Sequence, residues 1–89
     1  MMQTYSSPLA AAPALDAIEV FKTNIDTAAT GTAVMRTLRR RFPTLQASLD
    51  LDDCDRVLRV LAPRPGQPPW AQVMALVRSL GVQIEVLPD

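Results

Sequence analysis

Histidine is absent from the 89-residue chain and cysteine occurs once. The first absence removes the commonest general base and the commonest metal ligand, and with them the Ser-His and Cys-His nucleophilic pairs and the HExxH zinc signature. The second leaves no disulfide to staple a small fold, so stability must come from packing and the expected compartment is the cytoplasm. Aromatic residues are scarce at 4%, which leaves Leu, Val, Ile and Ala to fill the core. Neither sign of charge is in excess, nine Lys plus Arg balancing nine Asp plus Glu. Without a cationic surplus the counterion release that drives non-specific nucleic-acid binding is missing, and no nucleic-acid partner is expected. No apolar run approaches the roughly 18 residues that span a bilayer, and the N-terminus lacks the basic start and apolar stretch of a signal peptide, so no membrane association is expected either. GxSxG and Gly-rich phosphate loops are also missing. The chain therefore reads as a non-enzyme without a cofactor.

What is present is ordinary globular material, 48% hydrophobic and 20% charged, enough for one core and one domain. Residues 1–16 mix Ser, Ala and Pro without a period and read as a flexible leader; residues 17–89 read as the domain. Ala17 to Ile25 is rich in β-branched and aromatic residues with apolar side chains on both faces, the pattern of a central strand. Asp26-Thr27 offers an N-cap, after which Val34, Leu38 and Phe42 recur at spacing four beside Met35. Arg36, Arg39, Arg40 and Arg41 take the other faces and the last turn, and Pro43 ends the helix. Leu45 to Asp52 alternates strictly, Asp53-Cys54-Asp55 has turn chemistry, and Arg56 to Leu61 resumes the strand pattern, so an antiparallel hairpin is predicted. The Pro-rich stretch Ala62 to Pro69 is a linker loop. Trp70, Val73, Val77 and Leu80, widened by Met74 and Leu76, then mark a second helical stripe. Gly81 supplies a left-handed cap and Val82 to Val86 a last strand.

The order is βαββαβ, which predicts an α+β, ferredoxin-like two-layer sandwich: an antiparallel sheet in the order 4-1-3-2 with both helices on one face. Strand directions then bring the start of the first helix, the Asp53–Asp55 turn and the Gly81 turn to one end of the sheet. An acylphosphatase-like reading fails because Lys22 sits mid-strand and no arginine precedes Arg36. An RNA-recognition reading fails because the central strands offer only Phe21.

This order, the segment Ile25-Asp26-Thr27-Ala28-Ala29-Thr30, the strand Ser48-Leu49-Asp50-Leu51 and the turn Leu80-Gly81-Val82 together resemble the heavy-metal-associated, copper-chaperone-like domains over Ala17 to Leu87. The stretches Val20 to Ile25, Phe42-Pro43 and Asp50 to Val60 also resemble small bacterial proteins built like these domains. The resemblance implies the fold and, at the head of the first helix, a Cys-x-x-Cys site for soft metal. Here Thr27 and Thr30 hold those two places, and a hard neutral hydroxyl is a very weak ligand for copper(I). Val82 stands where the family has an aromatic after the glycine. The implied metal site is degenerate, and Thr27 and Thr30 read as helix-start residues.

Cys54, among Asp50, Asp52, Asp53 and Asp55, is the remaining weak candidate for a cation; the carboxylates attract a metal while disfavouring the thiolate that would bind it softly. The same residues also read as a solvated hairpin whose charges blunt an edge. The arginines of the first helix and the aspartates of the hairpin make the molecule bipolar; they read first as the solvated faces of an amphipathic helix and an edge strand, and second as a means of steering a partner. The leading expectation is a non-enzymatic binding module contacting another protein or a small ligand, monomeric or weakly dimeric. The alternative is a metal-binding or metal-chaperone-like protein that uses Cys54, as a dimer. A polar pocket lined by Lys22, Asn24 and Asp26 would instead favour an enzyme.

Overall fold

Alternation of buried and exposed residues sets the sheet. In strand β1 (Ala17–Thr23) Phe21 and Thr23 point inward and Lys22 outward; in β2 (Gln46–Asp50) Ala47 and Leu49 are half-buried between exposed neighbours; in β3 (Val57–Ala62) Leu58, Val60 and Ala62 are buried around an exposed Arg59. β4 is short, Ile84–Val86. These spans come from a computed structural model that describes residues 17–63 and 67–88. The leader expected over residues 1–16, positions 64–66 of the Pro-rich loop and residue 89 lie outside the described residues.

The four strands form one sheet in the order β2-β3-β1-β4, every neighbouring pair antiparallel. Phe21 lies opposite Leu58 on one side and Val86 on the other, and Leu49 lies opposite Leu58, so Leu49, Leu58 and Phe21 form one row across the inner face.

Helix α1 (Ala28–Arg41) begins where Thr27, in extended conformation, accepts the Thr30 N–H on its hydroxyl at 3.1 Å. It ends at Phe42, with Arg39, Arg40 and Arg41 in the last turn, where cations suit the exposed carbonyls. Helix α2 (Trp70–Ser79) starts after Pro69 and closes on Leu80, followed by Gly81 at φ +84°. Val34 and Leu38 of α1 and Val73 and Val77 of α2 are buried with Phe21, Leu58, Val60 and Ile84, so both helices cover the same face of the sheet around one α+β core. Trp70 meets Phe21 edge-on with ring centroids 6.1 Å apart.

Two expectations need correction. Leu80 is not part of the α2 stripe: the helix stops one residue earlier, and the side chain is 41% exposed. The last strand is shorter than Val82 to Val86: Val82 is buried but lies two residues before β4, which starts at Ile84. β1 is central, as its pattern predicts; among the described residues no helix lies over its outer face, where Ile18 is 58% exposed.

Candidate functional site

The end of the sheet where β1 delivers the chain to α1 is tied together by two adjacent side chains, Thr23 and Asn24. Thr23, buried on the inner face, donates its hydroxyl to the Arg56 carbonyl at 2.6 Å and accepts the Ile25 N–H at 3.2 Å. Its own N–H donates to the Asp55 carbonyl at 3.0 Å. Asn24 joins the third loop: its N–H donates to the Gln83 carbonyl at 3.2 Å, and its Oδ1 accepts the Gln83 N–H at 2.9 Å. The head of α1, the hairpin turn and the approach to β4 therefore share one end.

Within that end, Thr27 and Thr30 face each other. The Thr27 hydroxyl donates to the Thr30 hydroxyl at 2.9 Å while accepting the Thr30 N–H, so both positions of the degenerate motif serve the helix start. In the hairpin turn, ligand atoms of Asp53, Cys54 and Asp55 lie within 4.8 Å of one another, and Asp52 falls outside that group. Cys54 is exposed. The acidic side chains have local work: Asp53 Oδ1 accepts the Asp55 N–H at 2.8 Å and Asp50 Oδ1 accepts the Asp52 N–H at 3.0 Å. They hold the turn that sets Arg56 at φ +47°, a left-handed conformation secured by its N–H to the Asp53 carbonyl and its guanidinium to the Leu51 carbonyl. Lys22 and Asn24 border a shallow depression of about 110 Å³ with Gln83 and Glu85, and Asp26 is not part of its wall.

The largest concavity among those described was not foreseen from the sequence. It is an open groove of about 450 Å³ between α1 and β2, lined by Ala28, Gly31, Met35, Leu49 and Leu51, with Arg36 and Arg39 along the helix wall. Thr32 completes that wall. Gly31 creates it: a Cβ there would lie 2.8 Å from the Leu49 side chain, so the missing side chain is what lets α1 approach the strand. Arg36 and Arg39 share the flank of α1 that faces β2, whereas Arg41 borders a separate depression with Gln72 and Leu76 of α2. The basic run is thus divided between the two sides of the helix. The signals in the sequence were a glycine four residues after the cap, and Ala28, Thr32, Met35, Arg36 and Arg39 at spacings of three and four.

No family model matches the chain, and comparison with curated proteins finds no significant relative. None of the described helices is long and apolar enough to cross a membrane.

Proposed function

We propose that the chain is a small non-enzymatic binding module, ferredoxin-like and heavy-metal-associated-like in fold, whose ligand lies in the groove between α1 and β2. The fold reading is supported by the strand order, since β2-β3-β1-β4 traversed from the β4 edge is 4-1-3-2. Loss of the soft-metal site is supported by the hydroxyl pair at Thr27 and Thr30, which is engaged in capping α1. A lone thiol suits a reducing, cytoplasmic setting.

The groove itself carries the functional reading. Its floor of Gly31, Met35, Leu49 and Leu51 is apolar, and its wall holds two guanidiniums and no carboxylate. Arginine stays charged and grips a carboxylate with two parallel hydrogen bonds. The ligand class is accordingly one with an apolar body and an anionic end, a small molecule or a segment of another protein. Titration of the ¹⁵N-labelled chain with decanoate tests this: amide shifts should centre on residues 28–39, 49 and 51, and Arg36→Ala/Arg39→Ala should weaken binding about tenfold, the worth of roughly 1.4 kcal/mol. Shifts centred elsewhere, or equal binding by the double variant, would overturn it.

The alternative, a metal-binding protein using Cys54, draws support from the grouping of Asp53, Cys54 and Asp55. One chain supplies a single thiol and no imidazole, short of a closed zinc or two-thiolate copper(I) site. Two chains meeting at this turn would supply two thiols while bringing their aspartates together.

A further inference from the structure

The inward-facing residues of β3, Leu58, Val60 and Ala62, are buried. Those along β2 and its ends are not: Leu45, Ala47, Leu49 and Leu51 pack against the core yet stay half-exposed, as does Met35 of α1. Among the described residues no strand lies beyond β2, so the backbone groups on its free side have no ladder partner there. The α1–β2 groove thus has a sheet edge as one wall and the basic flank of a helix as the other.

We propose that the groove takes an extended segment of another protein, added antiparallel to β2 as a fifth strand, with inward side chains that are apolar near the hairpin end and acidic near the end of α1. This rests on the groove reading and names its ligand. A fifth strand would run about 4.8 Å beyond β2, where it pairs the free backbone groups and covers the half-exposed side chains together. An alkyl chain covers the side chains alone. The antiparallel sense matches every other pair in the sheet.

The order of side chains follows from the helix. Gly31 sits over Leu49, and α1 runs from the hairpin end towards the start of β2. Arg36 lies about 7.5 Å and Arg39 about 12 Å further along, roughly two and three to four strand residues, so they come level with Ala47 and with Leu45 and Gln46. A strand turns every second side chain to one face. The segment therefore reads apolar, x, apolar, x, acidic, x, acidic, its apolar pair level with Leu51 and Leu49 and its acids beneath Arg36 and Arg39. Asp50 belongs to the outer face of the sheet, where the first x suits lysine. A second copy paired edge to edge would turn only Ala47 and Leu49 inward and offer the arginines no carboxylate. The chain's own residues 1–15 contain no Asp or Glu, and Pro8 and Pro13 cannot donate to a ladder.

The probe is the end-capped peptide Val-Lys-Val-Thr-Glu-Thr-Glu, titrated into the ¹⁵N-labelled full chain. Its binding should slow exchange of alternate amides within Gln46–Asp50 about tenfold or more, an effect decanoate should lack. The same composition as Val-Glu-Val-Glu-Thr-Lys-Thr turns the acids outward and should bind about tenfold more weakly, and Arg36→Ala/Arg39→Ala should remove that difference. Two further peptides, N-methylated on alternate residues, should differ, since only one set of N–H groups points at β2. Equal binding by the two methylated peptides, equal binding by the two sequences, or binding without protection of β2 would overturn the proposal. So would β2 amides already protected in the peptide-free chain, which would give the edge to a second copy or to the chain's own leader. Decanoate binding with no peptide binding would leave the groove reading standing alone, and a chain that takes neither would overturn both.

Discussion

Replacing Thr23 with valine keeps the shape of a buried side chain and removes one oxygen on which two loops depend. That oxygen accepts the Ile25 N–H in a buried bond and donates to the Arg56 carbonyl in a partly buried one. With valine the Ile25 N–H has no partner, a loss of about 1–3 kcal/mol, while the Arg56 carbonyl loses a bond worth about 0.5–1.5 kcal/mol that water can partly replace. The expected total is about 2–4 kcal/mol. Thr23→Ser keeps both bonds and loses one methyl, which costs about 1 kcal/mol. Urea unfolding of the three proteins, with equal slopes, measures both values. Amide exchange adds a local readout, because the left-handed Arg56 and the Ile25 N–H should open more readily in the valine variant only. If valine proved no more destabilising than serine, the hydroxyl would not be what fastens the hairpin turn to the end of β1.

Other substitutions probe the packing. Leu38→Ala, at a position 3% exposed, should cost about 2–5 kcal/mol in thermal or urea unfolding, whereas exposed Arg40→Ala should stay within about 0.5 kcal/mol. Gly31→Ala should lie within about 1 kcal/mol of wild type, because the helix-propensity gain of about 0.8–1.0 kcal/mol offsets displacing the end of the half-buried Leu49 side chain; Gly31→Leu overpacks the same spot, should cost about 1–3 kcal/mol, and should abolish the decanoate shifts. Gly81→Ala meets no atom within 4 Å, so a loss of about 1–2 kcal/mol there would measure the left-handed backbone alone.

Local chemistry made most of the fold legible. The alternation from Leu45 to Asp52 identified β2, the Asp53–Asp55 turn placed the hairpin, Thr27 marked the helix start, and Gly81 marked a left-handed turn. Each signal lies within a few residues. Features that failed to read from the sequence depend on what lies across the molecule. Ile18 is as apolar as a core residue yet exposed, because whether a second layer covers the outer face is not a property of the strand. Leu80 continues a helical spacing past the point where the helix has turned. The groove was hidden for the same reason: Met35 reads as core until Gly31 is seen to bring α1 against Leu49, and Arg36 and Arg39 read as a solvated face until β2 is found beneath them. The hydroxyls of Thr27 and Thr30 were expected at the helix start, but their bond to each other follows only from the conformation of the cap.

The account turns on a hydroxyl pair standing at the head of α1 where the resembled family has thiolates, and native mass spectrometry with copper(I) under reducing conditions, against a competing high-affinity chelator, tests this most directly. Wild type and Cys54→Ser should both emerge without metal, and Thr27→Cys/Thr30→Cys should retain one copper(I) per chain, because two thiolates at spacing three then occupy the first turn. One copper(I) retained per wild-type chain, or per pair of chains and lost in Cys54→Ser, would contradict the account, as would a double-cysteine variant that holds metal no better than wild type.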